Sequence, residues 1–340
     1  MNSQKSSRVL LEVKEMKKYF PIEKGFLRRI TGFVRAVDNV NLYINEGETL
    51  GLVGESGCGK TTLGRCILRA IEPTSGTINF RYKDSEMVNL VSLDRKEMRA
   101  VRRYAQMIFQ DPYSSLDPRM TILDIVAEPL RSSKLSHGKE LEDRIKKLMT
   151  LVGMEVKHLK RYPHAFSGGQ RQRIGIARAL APNPKLIVAD EPVSALDVSI
   201  QAQILNLLQD LQKQFHLTYL FVAHDLSVIE HISDRVAVMY VGKITEMSET
   251  EELFINPKHP YTEALLSAVP KPDPEVKMER IILPGEVANP ANPPSGCYFH
   301  PRCNYAQRVC KKDEPEWEEV TPEHFAACHF AKELSLKGVE

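Results

Sequence analysis

The stretch GLVGESGCGKTTLGRC, residues 51–66, places Gly54, Gly59, Lys60 and Thr61 in the spacing G-x-x-x-x-G-K-T, directly after the apolar run TLGLV. A glycine-rich turn of this kind lets several backbone N–H groups converge on one point. A helix opening there adds partial positive charge, and the ligand that suits both is a chain of phosphates. Gly54, Glu55, Ser56, Gly57, Cys58, Gly59, Lys60, Thr61 and Thr62 are therefore the candidate phosphate-binding residues. Lys60 would reach the outer phosphates and Thr61 would set its hydroxyl on Mg²⁺. A tight turn that binds nothing has no need of lysine and threonine at that spacing.

Three further groupings could do chemistry. The run KLIVADEP ends in adjacent acids, Asp190 and Glu191. Beside a phosphate loop, Asp190 suits the metal's ligand shell and Glu191 suits an attacking water, which it would orient or deprotonate. In FSGGQRQRIGIARAL, residues Ser167, Gly168, Gly169 and Gln170 form a second glycine turn leading into a helix, able to bind a second phosphate. Near the end of the chain, Cys297, Cys303, Cys310 and Cys328 follow the spacing C-x5-C-x6-C-x17-C. This lacks the close pairs usual in structural zinc sites. Four thiolates would still suit tetrahedral zinc, or a [4Fe–4S] cluster in which each iron takes one thiolate; buried thiols packing as small hydrophobes are the third reading. In a reducing compartment such clustering favours metal over disulfides. Cys58 and Cys66 read as structural.

Around these groups the chain alternates apolar and polar residues from LEVKEMKKYF to INEGETLGLVG, with turn-like Asp-Asn and Asn-Glu-Gly steps, predicting successive short strands. Residues 95–165 carry helical spacing interrupted at Pro112, Pro118, Pro129 and Gly138. Buried-strand runs KLIVAD, TYLFVAHD and RVAVMYVGKI then alternate with the helical SIQAQILNLLQDLQKQF and LSVIEHISD. That order predicts an α/β fold with a parallel sheet covered on both faces. The character changes near residue 255, so the chain divides into 1–255 and an irregular extension, 256–340. Seven prolines between Pro270 and Pro294 make part of that extension an extended segment laid over other structure.

Composition excludes more than it assigns. Apolar residues at 42%, charged residues at 26% and a net charge of +2 fit a globular chain and offer no general footprint for nucleic acid. Glu12, Lys14 and Glu15 interrupt the only early apolar stretch, which disfavours a secretory signal, and no run reaches the 18 or so apolar residues of a membrane span. A cytoplasmic location is expected.

In combination, the phosphate loop, the acid pair and FSGGQ resemble the ATP-binding cassette (ABC) ATPases, whose signature reads LSGGQ. Gln110 in MIFQDP resembles the family's Q-loop, Ser194, Ala195, Leu196 and Asp197 its D-loop, and His224 in FVAHD its switch histidine. The resemblance implies a P-loop fold with a β-rich N-terminal subdomain, a RecA-like parallel core and a helical subdomain at about 111–165. It implies ATP hydrolysis by Glu191 with His224 and Gln110, and Mg²⁺ held by Thr61, Gln110 and Asp190. Adenine would stack on Phe20, or on Tyr19. Two cassettes would pack head to tail, Ser167 to Gln170 acting on the partner's nucleotide.

The segments INPKHPYTEALLSAVPKPDP and GEVANPANPPSGCYFHPRC are similar to the C-terminal extension of dipeptide and oligopeptide importer ATPases, of the second-ATPase type. That likeness covers nearly the whole chain. It implies a related second ATPase subunit, two transmembrane permease subunits that dock on the helical segment, an extracytoplasmic substrate-binding protein and a peripheral place on the cytoplasmic side of the membrane. It also implies a [4Fe–4S] cluster on the four cysteines, with Zn²⁺ as the alternative. Nickel and oligosaccharide importers share the family. Soluble cassettes acting on nucleic acid or ribosomes are disfavoured, since long inserted coiled coils and a second cassette are both missing from the sequence.

Overall fold

The computed structural model describes residues 8–26, 28–83, 86–269 and 280–339. Pro270, Pro272 and Pro274 of the proline-rich segment lie outside the described residues. The chain forms two compact units. One comprises Ile44–Glu48 and Asn79–Val222 with the described residues up to Leu11; the other comprises Glu12–Tyr43, Thr49–Ile78 and the described residues from Ala223 on.

Strands β1 (Val9–Lys24) and β2 (Arg29–Asn45) are long, not the short strands that the turn-like steps suggest. The Asp38-Asn39 step bends β2 without ending it, because Asn39 takes φ 58° and absorbs the kink. Glu15, at φ 49°, does the same in β1, and its N–H donates to Asn41 Oδ1 at 2.9 Å. Asn45-Glu46-Gly47 is a true turn, and it leads into the fully buried β3 (Thr49–Val53). Helix α1 (Lys60–Ile67) and β4 (Ser75–Phe80) follow, β1 lying between β2 and β4.

In the unit of Asn79–Val222, β5 (Val88–Asn89) pairs antiparallel with the end of β4, and α2 (Arg95–Val101) opens on an Asp94/Glu97 capping box. Then come β6 (Ala105–Ile108), α3 (Ile122–Ser132), α4 (Gly138–Leu151), α5 (Gly168–Leu180), β7 (Leu186–Asp190), α6 (Val198–Phe215) and β8 (Thr218–Val222). Strands β6, β7 and β8 run parallel, Ala105 opposite Leu186 and Leu186 opposite Thr218, and every residue of β7 and β8 is buried. Apart from Thr218 and Asp190 at strand ends, this is the near-continuous apolar pattern expected of a parallel sheet covered on both faces. Pro129 does not interrupt the helix, as its type suggests it should; it lies inside α3. Ile122, Ile125, Val126 and Leu130 are buried beside it, and burying that stripe outweighs one lost backbone hydrogen bond.

The other unit resumes with α7 (Leu226–Ile232), β9 (Arg235–Tyr240) and β10 (Lys243–Glu249); β9 and β10 are joined through Val241 and Gly242 at φ 40° and 81°. Strand β3 pairs parallel with β9, and β10 antiparallel with it. Helices α8 (Thr250–Ile255), α9 (Pro260–Leu266) and α10 (Arg308–Lys312) precede a C-terminal hairpin, β11 (Glu318–Thr321) and β12 (His324–Ala326). That hairpin gives regular structure to a tail expected to be irregular, because β12 pairs antiparallel with β10. Its anchor is buried: His324 Nε2 lies 2.7 Å from Glu246 Oε1, and Glu246 also accepts the N–H groups of Lys258 and His259 at 2.5 and 3.0 Å. Among the described residues no helix is long and apolar enough to cross a membrane.

Candidate functional site

The phosphate loop follows β3 as the sequence predicts. Gly54 and Gly59 adopt φ 152° and 112°, and a Cβ on either would strike a carbonyl oxygen, Met239 O at 2.1 Å or Ala36 O at 2.0 Å. Only glycine fits both the conformation and the space. Lys60 is buried, and its ammonium donates to the carbonyls of Gly54 at 2.7 Å and Glu55 at 3.1 Å. The lysine is thus held against its own loop. Helix α1 has no side-chain cap and no acidic residue in its first turn, which leaves its N-terminus suited to an anion. Cys58, buried in the loop, has its thiol pushed up by desolvation. Cys66 on α1 is buried too, and for the same reason it is raised to about 11. Both fit the structural role.

Asp190 ends β7 fully buried, and Glu191 turns the chain out of the strand at φ 44°. A non-glycine residue in the left-handed region stores strain, and strain of this kind concentrates at functional sites. Gln110, just beyond β6, donates Nε2 to Glu191 Oε2 at 2.9 Å, so two residues 81 positions apart meet. In the same unit, Ser167 caps α5. Its hydroxyl accepts from the N–H of Gln170 at 3.4 Å, while Gln170 Oε1 accepts from the N–H of Ser167 at 3.1 Å. A Cβ on Gly169 would lie 2.6 Å from Ile200 Cγ2 on α6, so that side chain would have to shift. Leu196 packs toward Gly168, Ala195 and Asp197 are exposed, and Asp197 opens α6.

Tyr19 and Phe20 are neighbours on β1 and differ in what they touch. The Tyr19 hydroxyl donates to Asp38 Oδ1 at 2.5 Å, whereas Phe20 carries the Lys18 ammonium 4.9 Å above its ring. His224 is exposed beyond the end of β8, next to Asp225, which caps α7 by accepting from the N–H of Ser227 at 2.9 Å.

The four tail cysteines all line one small pocket, together with His259, Phe299, Tyr305 and Phe330. Burial pushes the Cys297 thiol up, Cys303 to about 11 and Cys328 to about 12, and the cysteines raise one another's values further. Raised in this way these thiols stay protonated, and only a bound cation would hold them as thiolates. Among the described residues, however, no three His, Cys, Asp or Glu side chains are arranged to hold a metal ion. The residues between the cysteines, passed over in the sequence, are the ones most engaged. Arg302 forms a two-pronged ion pair with Glu55 of the phosphate loop, Nη1 to Oε2 at 2.7 Å and Nη2 to Oε1 at 3.0 Å. Tyr298 donates to Asp38 Oδ2 at 2.8 Å. Pairings at this sequence separation leave no local pattern to read.

Residues 37–194 match the family model described as ABC transporter, and residues 245–310 match the oligopeptide/dipeptide transporter C-terminal region. The oligopeptide transport ATP-binding protein AppF of Bacillus subtilis is 52% identical over 327 residues, which cover 96% of this chain and 98% of that protein. A Brucella ovis protein, named as a peptide import ATP-binding protein, is 51% identical over 319 residues, 94% of this chain and 97% of its own. Among solved structures, a dimeric ATP-binding cassette in a post-hydrolysis state with ADP and Pi aligns at TM-score 0.61 and 30% identity, over 71% of this chain and 99% of that one. The cbiO1 subunit of an ABC transporter complex from Clostridium perfringens aligns at TM-score 0.60 and 25% identity, over 73% and 91%. Fold, loop and acid pair define an ATP-binding cassette ATPase. Within that class the chain belongs to the oligopeptide and dipeptide import ATP-binding proteins.

Proposed function

We propose that the chain hydrolyses ATP with Glu191 as the residue that orients and deprotonates water, and that this turnover drives import of short peptides through two transmembrane permease subunits. The observation that carries it is the 2.9 Å hydrogen bond from Gln110 to Glu191. It ties the proposed catalytic base to the segment that leads into the helices of about 111–165, where the permeases would dock. In this reading Lys60 leaves its carbonyl partners to meet the outer phosphates, and the loop's N–H groups take the rest. Thr61, Asp190 and Gln110 would hold Mg²⁺, which would neutralise charge developing on the transferred phosphate. His224 donates to the outer phosphate, and Phe20 stacks on adenine because the Tyr19 hydroxyl is committed to Asp38.

Ser167, Gly168, Gly169 and Gln170 serve the nucleotide of a related second ATPase, and Ala195, Leu196 and Asp197 line that seam. Val198, 81% exposed at the start of α6, supports a covered face there. An extracytoplasmic binding protein delivers the peptide, and the chain sits peripherally on the cytoplasmic face of the membrane. For Cys297, Cys303, Cys310 and Cys328, which line one pocket, the likeness to peptide importer ATPases favours a [4Fe–4S] cluster, with Zn²⁺ the alternative; the four thiols would have to draw together around it.

The test is purification of the tagged full-length chain from its own cells under anaerobic conditions. Two permeases and a second ATPase should come with it, the complex's ATPase rate should rise with peptide-loaded binding protein, and iron should be near four per chain. Nucleic acid or ribosomes in place of permeases would overturn the transport reading. Stoichiometric zinc without iron would overturn the cluster.

A further inference from the structure

Five residues separate Cys297 from Cys303, and three of them fasten this strap to the nucleotide-binding part of the same unit. Tyr298 donates to Asp38, whose other oxygen accepts from Tyr19 on β1. Phe299, 1% exposed, packs between Tyr240 at the end of β9 and Tyr261 on α9, with ring centroids 5.3 Å from each. Arg302, 7% exposed, grips the Glu55 carboxylate with two nitrogens. Glu55 is thereby held at all three of its polar groups. Its N–H donates to the Tyr261 hydroxyl at 2.9 Å, its carbonyl accepts from Lys60, and its carboxylate lies in the Arg302 fork.

Glu55 stands at the point where β3 gives way to the phosphate loop. A guanidinium fork fixes the plane of a carboxylate, which a single ammonium would not. The strap's other end is fixed by the cysteine pocket: Cys297 N–H donates to Cys310 O at 2.9 Å, and a Cβ on Gly296 would lie 2.4 Å from that same oxygen. The same short strap thus joins the cysteine pocket at one end to the Arg302–Glu55 fork at the other.

We propose that Arg302 is a positioning residue for ATP, setting the phosphate loop through Glu55, and that the Cys297–Cys303 strap couples the four-thiol pocket to nucleotide affinity. The inference rests on the reading that residues 54–62 bind ATP, and it holds whichever group the thiols carry. Coupling of this kind is reciprocal: a strap that tightens ATP binding must itself be tightened by ATP to the same degree.

The experiment uses the full-length chain and calorimetric ATP affinity for wild type, R302Q, R302K, E55Q, the R302Q/E55Q pair and K60A. R302Q and E55Q should each weaken ATP about tenfold, and the pair no more than either alone, since both break one contact. R302K, which keeps the charge and loses the fork, should fall between. In the assembled ATPase, R302Q should raise KM for ATP by about the same factor with kcat changed less than about twofold. Saturating ATP should slow maleimide labelling of the pocket cysteines in wild type but not in R302Q; where the chain carries iron, release to a chelator replaces labelling. Should R302Q fold poorly, E55Q carries the same test. Unchanged affinity in R302Q and E55Q alongside lost binding in K60A would overturn the inference, as would losses that multiply in the pair. Unchanged affinity in K60A would instead overturn the ATP site beneath it.

Discussion

The chain opens two helices from glycine turns, and the two turns are built for different conditions. At the phosphate loop, α1 starts after Gly59 with no side-chain cap and no acidic residue in its first turn, which suits its N-terminus to an anion. At Ser167 to Gln170, α5 starts on a complete capping box, and the N–H of Gln170 already has the Ser167 hydroxyl. The glycines differ too. Gly54 and Gly59 hold left-handed φ values against backbone oxygens, whereas a Cβ on Gly169 would meet only the Ile200 side chain within 3 Å. One turn is shaped for an anion at its own helix start. The other is satisfied on its own, and in the proposed function it would exchange its cap for a phosphate only when one is brought to it. That is the behaviour expected of a group acting on a partner's nucleotide.

The largest expected effect separates binding from chemistry. Replacing Glu191 with Gln should cut ATP turnover about 10²- to 10⁴-fold in the assembled transporter while leaving ATP affinity within about twofold. A wild-type rate would remove Glu191 from the role given to it. Next comes the signature turn. Ser167→Ala should slow turnover of the complex roughly 10- to 100-fold, the worth of one charge-assisted hydrogen bond, yet leave the isolated chain's ATP affinity unchanged. Weaker ATP binding by the isolated chain would erase the contrast between the two turns, because Ser167 would then be acting in its own chain. Smaller again is a stability effect: Gly169→Ala should cost about 1–3 kcal/mol in denaturant unfolding through the clash with Ile200, and adding Ile200→Ala should recover part of it. No loss in the single variant would mean that the glycine is required only by its ligand.

What could be read from sequence was what is local. The phosphate loop, the buried strand with its acid pair and the FSGGQ turn each carry their chemistry within a dozen residues, and a helix start or strand end places them without knowledge of the rest. Pro129 and Asn39 misled because local type was outweighed by context: a buried stripe carries α3 through the proline, and β2 absorbs the asparagine as a kink. The hairpin of β11 and β12 was invisible for another reason. Its strands are only four and three residues long, and what fixes them is the buried His324–Glu246 contact, formed across 78 positions. Distance along the chain also hid Arg302, 247 positions from Glu55, and Tyr298, 260 from Asp38. The four cysteines drew attention to the tail, whereas its contacts with β2 and the phosphate loop belong to the residues between them.

The smallest effect concerns Asp38, where that tail meets β1. Burial works against its charge, but the hydroxyls of Tyr19 and Tyr298, then Lys243 and Arg35, outweigh burial and hold the carboxyl below its usual 3.8. A carboxylate with a lowered value in the fold adds stability that is complete above the unfolded value and disappears as pH falls through the folded one. Asp38→Asn should therefore destabilise the chain by about 1–2 kcal/mol at neutral pH, and the gap from wild type should close as pH drops below about 4. His259 must be kept distinct. Burial lowers it to about 3 from 6.5, so the unfolded chain takes up a proton that the fold refuses, and stability falls on acidification over that whole interval. Both variants retain His259, so this loss cancels in their difference. Urea unfolding of wild type and Asp38→Asn at a series of pH values reads the gap directly. A gap that stays constant from pH 7 to pH 3 would mean that Asp38 holds Tyr19 and Tyr298 by shape alone, and that the charge of Lys243 and Arg35 adds nothing to the link between the tail and β1.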